Sequence, residues 1–155
     1  MEPRIDYKRV APGALAAMAG LEDYLRTSGL EPRLLDLVKL RASQINGCAY
    51  CIDMHTKDAR ARNESEQRLY ELDAWRETPF YTEKERAALA WTEAVTEVSR
   101  SHVPDAVFEQ ARRHFSDKEL VDLTLAIVAI NGWNRLAISL RAVPGTYHVP
   151  AGARA

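Results

Sequence analysis

Along this chain apolar positions recur every three or four residues, and no stretch alternates with a period of two. The Asn-Gly pair in "ING" at Ile45 ends a helical pattern instead of joining two strand-like runs, so it reads as a helix stop and restart. The spacing predicts a helix from about Pro12 to Ser28, closed by Gly29. A second starts near Pro32 and stops at Asn46-Gly47, a third runs from Cys48 to about Arg62, and a fourth follows Asn63 and carries Leu69, Leu72 and Trp75. "TEKE" at Thr82 is a capping box, with Glu85 placed to reach back to the Thr82 backbone, and it opens a helix that includes Leu89, Trp91, Val95 and Val98. Pro104 opens a shorter helix through Phe115. "SDKE" at Ser116 is a second capping box, opening a long helix through Ala142 that Pro144-Gly145 ends. The fold class expected is an all-α compact helical bundle.

Two of these helices are apolar nearly all round. One holds Leu34, Leu35, Leu37, Val38, Leu40 and Ile45; the other holds Leu120, Val121, Leu123, Leu125, Ile127, Val128 and Ile130. A helix apolar on every side is buried on every side, so these two form a central pair or have their burial completed by another subunit. The bundle is expected to be oligomeric. Residues 1–147 read as one helical domain and 148–155, "HVPAGARA", as a frayed tail.

Composition narrows the function. The 155 residues suffice for one domain with a real core, and 46% hydrophobic with 28% charged residues is the balance of a water-soluble chain. A net charge of −1 supplies no basic field for nucleic acid. The opening "MEPRIDYKRV" has no apolar core and is not a secretory signal. The most apolar run, Leu123 to Ile130, is too short to cross a bilayer. The chain is therefore expected in the cytosol, without membrane or nucleic-acid partners. A close cysteine pair in that reducing compartment points to catalysis or metal binding more than to a structural staple.

Both cysteines of the chain lie in "INGCAYCIDMHTK", with a histidine four residues after the second. At about 100° per residue, Cys48, Cys51, Ile52, His55, Ala59 and Arg62 fall within one arc of roughly 100°, while Tyr50, Asp53, Lys57 and Arg60 point away. The apolar members turn this face inward. Cys48 follows Asn46-Gly47 at the helix N-terminus, where free N–H groups and the macrodipole stabilise a thiolate. His55 can take a proton as base or, protonated, pair with the thiolate. A thiolate with a second thiol one turn away can be oxidised and then resolved as a disulfide. Two blander readings stand beside this one. Cysteines can be small core hydrophobes. Alternatively, Cys48, Cys51 and His55 could hold zinc with His102, His114 or His148 as a fourth ligand, although three ligands crowded on one helix make a poor tetrahedron.

"LLDLVKLRASQINGCAYCIDMHTKDA" resembles the core motif of the AhpD-like alkylhydroperoxidases, within the carboxymuconolactone decarboxylase family: an acid, then the first Cys of Cys-x-x-Cys twelve residues on, then a His four after the second Cys. "ERAALAWTEAVT" and "INGWNRLAISLR" are similar to the same family, so the resemblance runs from about Leu34 to Arg141. It implies an all-α fold assembling into trimers, dimers or hexamers, and a thiol peroxidase mechanism without cofactor or metal. In that mechanism Cys51 attacks the peroxide, Cys48 condenses with the resulting sulfenic acid and meets the reductant, and His55 with the upstream acid relays the proton. The dipole argument favours Cys48 as the more acidic thiol; the resemblance favours Cys51. The family acid is usually Glu, and here the position holds Asp36, one methylene shorter, able to serve through water or to be a solvated surface acid. Glu31, before Pro32, is a poor substitute. Lys39 and Arg41 read as surface charges, and Tyr50 carries no assigned role. Asn131, Trp133 and Asn134 are either a hydrogen-bonded structural knot or the far wall of the site, and Gly132 marks close helix packing.

The expected function is therefore a peroxidase reducing hydrogen peroxide or organic hydroperoxides, re-reduced by a dithiol or protein reductant. The alternatives are a redox- or zinc-responsive binding module and a decarboxylase-like relative, whose chemistry would leave the cysteine pair unused.

Overall fold

Helix boundaries follow the capping chemistry of the chain. The structure, a computed structural model, describes residues 1–150. Its helices are α1 (Tyr7–Val10), α2 (Pro12–Arg26), α3 (Pro32–Asn46), α4 (Ala49–Ala61), α5 (Glu66–Tyr70), a 3₁₀ segment (Leu72–Glu77), α6 (Glu83–Thr96), α7 (Val98–Ser101), α8 (Asp105–Arg112) and α9 (Asp117–Leu140), with no strand among the described residues. Pro occupies the first turn of α2 and of α3, where its missing N–H costs nothing. Both capping boxes form: Thr82 with Glu85 opens α6, and Ser116 with Glu119 opens α9.

α3 and α9 are the central pair. α3 packs on α4, α6 and α9, while α9 also packs on α2, α6 and α8. Leu37, Val38, Leu40, Leu123, Ile127 and Ile130 at their contact faces are almost completely buried. A polar knot pins the pair near the end of α3. Asn46 Nδ2 donates to Asn131 Oδ1 (3.0 Å) and Asn134 Oδ1 (2.9 Å), and Asn134 Nδ2 donates to Ser43 Oγ (3.1 Å). Asn131 and Asn134 are thus structural, satisfied as buried amides must be. Gly132 meets α2: a Cβ there would lie 2.9 Å from Met18 Cε.

Four expectations need correction. The fourth helix is not one α-helix: it becomes α5 and then the 3₁₀ segment, with Ala74 off helical geometry. Leu72 and Trp75 are three apart, the period of a 3₁₀ helix, and that winding buries both, while α5 buries Leu69. The helix expected to carry Val98 stops at Thr96, and Val98 starts the separate turn α7. α8 ends at Arg112, because Phe115 leaves the helical path to enter the core.

The fourth correction concerns α9, which is not buried all round. Val121 is 67% and Val128 51% exposed. With 24 residues and a mean hydropathy of 1.3 over an 18-residue window, α9 is long and apolar enough to cross a membrane, which the run Leu123–Ile130 alone is not. In this fold it is the core helix. α1 was not anticipated; the Asp6 side chain caps it, accepting from Arg9 N at 3.3 Å. The tail expected at 148–155 lies, from 151 on, outside the described residues.

Candidate active site

The turn from α3 to α4 places the cysteines. Gly47 adopts the left-handed conformation (φ 67°), which ends α3 without the strain a Cβ would bring. Cys48 N then donates to Ser43 O at 3.0 Å. Cys48 is extended and serves as the N-cap of α4, its Sγ accepting from Cys51 N at 3.4 Å. The Cys48 sulfur therefore sits at the positive end of the α4 dipole. Cys48 and Cys51 are joined as a disulfide, Cα atoms 5.3 Å apart. Both are 1% exposed, in an apolar cluster with Ala42, Ile130 and Ala137 where α3, α4 and α9 meet.

His55 lies one turn beyond Cys51 and is 6% exposed. Burial, followed by the charges of Lys39 and Arg62, lowers its pKa to about 3, so at neutral pH the imidazole is uncharged. Nδ1 stands 3.9 Å from Asp58 Oδ2. Nε2 is buried and is the one side-chain nitrogen or oxygen so buried without a hydrogen-bond partner among the described residues.

The acids around His55 are committed in different ways. Asp36, 7% exposed, receives both of its hydrogen bonds from Arg62 Nη1, at 2.6 and 2.8 Å. Burial raises its pKa, and the Arg62 contacts offset this only in part. Asp58 presents Oδ2 to His55 while its Oδ1 accepts the Tyr147 hydroxyl at 2.6 Å. Glu22 on α2 accepts from Lys39 Nζ at 2.6 Å and from Trp133 Nε1 at 3.2 Å.

Two cavities flank the disulfide. One, of about 460 Å³, is walled by Cys51, His55, Met54, Trp133 and Leu15, with the Glu22–Lys39 pair on one side. The other, of about 250 Å³, reaches Cys48 between Gly47, Ala49, Ile138 and Arg141. Tyr50 borders both. Each cysteine thus borders its own cavity.

The structure therefore brings Cys48, Cys51 and His55 together and pairs Asp36 with Arg62. Tyr50 does not point away as the wheel has it. It sits in the first turn of α4, packed against the cysteine cluster, where the end of α9 comes alongside. Lys39 is not a surface charge: its side chain is 15% exposed and its partner Glu22 lies within the bundle's α2. Trp133 forms the far wall. Sequence reasoning missed Glu22, Asp58 and Tyr147. Asp58 had a local signal, since positions three apart on a helix are neighbours; Tyr147, 89 residues from Asp58, had none. His102 and His148 are exposed, and among the described residues no three His, Cys, Asp or Glu side chains are grouped to hold a metal.

The model of the carboxymuconolactone decarboxylase family matches residues 12–94, more than half the chain. The chain belongs to that family. This carboxymuconolactone decarboxylase family member is 43% identical over 140 residues to the uncharacterized protein YdfG of Bacillus subtilis, covering 90% of this chain and 95% of that one. A crystal structure from Agrobacterium tumefaciens, of a protein of unknown function put forward as an antioxidant defence protein AhpD, is 49% identical. It superposes with a TM-score of 0.91, covering 94% of this chain and all of that one. A peroxidase-related protein from Ralstonia eutropha, described as an alkylhydroperoxidase AhpD core, superposes with a TM-score of 0.77 at 22% identity, covering 88% of this chain and 73% of that one; at that identity the likeness is of fold alone. The fold of this family member is the AhpD-like all-α bundle.

Proposed function

We propose that this protein is a thiol-dependent peroxidase that reduces hydrogen peroxide or organic hydroperoxides, with Cys51 as the attacking thiol. The observation that carries this reading is that Cys51 and His55, whose buried Nε2 has no partner, border the same cavity, whereas Cys48 borders another. In the reduced protein a neutral His55 accepts the Cys51 proton. The thiolate attacks the distal oxygen of ROOH, forming Cys51–SOH, and the alkoxide leaves as ROH with the proton His55 returns. The Cys48 thiol condenses with the sulfenic acid, releasing water and closing the Cys48–Cys51 disulfide. A dithiol or protein reductant then attacks at Cys48 from its own side and restores both thiols. Asp36 enters this scheme through Arg62, whose charge helps keep His55 neutral. A reducing cytosolic compartment suits the cycle, and oligomerisation through the exposed apolar stripe of α9 suits the family.

The test is a thiol count and intact mass on reduced, metal-free protein before and after one equivalent of peroxide. Closure of the pair removes two thiols and lowers the mass by two hydrogen atoms. Cys48→Ser should stop at a sulfenic acid that a dimedone probe traps, and Cys51→Ser should leave peroxide unreacted. Two thiols that survive peroxide sink the reading.

A further inference from the structure

His55 has to present a lone pair to Cys51, so its one proton must sit on the other nitrogen. Nε2 is buried without a partner, and His55 borders the cavity that Cys51 borders. Nδ1 faces the Asp58 carboxylate at 3.9 Å, a span that a small ring rotation or one bridging water closes. A neutral imidazole places its N–H where an acceptor waits. That acceptor is Asp58, because both bonds that Asp36 makes go to Arg62.

Asp58 is in turn held from outside the helix. The segment after α9 doubles back over α4 as a strap. Gly145 N donates to Asp53 Oδ2 (3.0 Å), Lys57 Nζ donates to Tyr147 O (3.0 Å) and to Asp53 Oδ2 (2.9 Å), and Tyr147 Oη donates to Asp58 Oδ1 (2.6 Å). The last bond occupies one Asp58 oxygen and leaves the other for His55. The Tyr147 hydroxyl remains a donor, its pKa raised by burial and then by Asp58. Glu22, the other acid at this cavity, accepts from Lys39 and Trp133, and Lys39 from α3 and Arg62 at the end of α4 are cations that cannot accept the His55 proton.

We propose that Asp58, fixed by Tyr147 of the C-terminal strap, is the positioning residue that holds His55 as its Nδ1–H tautomer and so turns Nε2 toward Cys51. This rests on the peroxidase reading only for its purpose; the tautomer itself is a property of the resting protein. Tyr147 is not part of the lining of the Cys51 cavity, and Asp58, at its wall, acts through His55.

The experiment is nitrogen-15 NMR of histidine-labelled reduced protein near pH 7, with the His55 signals identified by their loss in His55→Gln. It is paired with the rate of Cys51 alkylation by iodoacetamide in a Cys48→Ser background. Wild type should show Nδ1 protonated and Nε2 bare. Asp58→Asn should move the proton to Nε2 or mix the tautomers, and should slow alkylation roughly tenfold or more. Tyr147→Phe, which keeps the ring and frees Asp58 Oδ1, should shift the signals in the same direction by less; it carries the test should Asp58→Asn not fold. Asp53→Asn loosens the strap at Gly145 without touching Asp58 or the Tyr147 hydroxyl, and should shift the His55 signals by less than Tyr147→Phe does. A His55 that keeps Nδ1–H in both Asp58→Asn and Tyr147→Phe, or one that moves equally in Asp53→Asn, overturns the proposal. A tautomer that shifts as expected in a protein that does not consume peroxide upholds the positioning role and removes the peroxidase reading instead.

Discussion

A buried histidine held neutral makes the fold itself sensitive to acid. In the disulfide form His55 has no thiolate to pair with, and its pKa stands at about 3 against 6.5 for the unfolded chain. Below pH 6.5 the unfolded state binds a proton that the native state refuses, so stability rises with pH through this window and is lost as pH falls. From pH 7.5 to pH 5 the loss is on the order of 2 kcal/mol. Most carboxylates remain ionised at pH 5, so the window belongs to the histidine. Urea midpoints of the oxidised protein should drop between those pH values, and His55→Gln should flatten the dependence; an unchanged slope in that variant would place the effect elsewhere. The chemistry at this scale was partly legible. Cys48, Cys51 and His55 share a helix, so spacing alone places them on one face. Lys39, Glu22, Trp133 and Tyr147 join the site through packing of α2, α9 and the strap, across sequence distances that no local pattern records. Asp36 shows the converse: a motif position can be filled while the partner, Arg62, decides what the carboxylate does.

Among elements, sequence was most reliable where the termini carry their own chemistry. Pro32, Gly47 and the two capping boxes mark helix ends by satisfying or omitting backbone donors, and α3, α6 and α9 begin where those signals stand. The reading was weakest where burial geometry outranks propensity, as in the 3₁₀ turn whose Leu72 and Trp75 spacing decides the winding. The start of α6 is worth more than a cap alone. Glu85, besides closing the box, accepts from Arg68 Nη2 at 2.5 Å, and Arg68 also bonds Glu64 at 2.9 Å, so one helix end ties α5 to α6. Burial opposes but does not outweigh these partners, and the Glu85 pKa is lowered. Thr82→Ala should destabilise the fold by about 1 kcal/mol, read as a lower urea midpoint with an unchanged slope. Thr82→Ser should restore it, since the hydroxyl is what the Glu85 N–H requires.

For the whole molecule the deciding feature is the outer face of α9. Val121, Leu125 and Val128 recur at helical spacing and border a groove of about 650 Å³ with Trp91 and Phe108, while the opposite face of the same helix fills the core. One chain leaves this stripe facing water, which apolar patches of that kind rarely do without a partner. The sequence expectation of a helix buried all round is then half met by the chain itself; in the oligomer proposed above, a second copy would supply the other half. The disulfide, His55 and Asp58 lie on α4, away from that groove. Assembly and thiol chemistry should accordingly come apart. Val121→Lys combined with Val128→Asp should reduce the sedimentation mass toward that of a single 17.5 kDa chain, while peroxide still closes the Cys48–Cys51 pair. A protein whose mass by sedimentation does not respond to the double substitution would show that α9 meets no partner along this stripe. Loss of disulfide closure together with the mass change would show that a neighbouring copy completes the site.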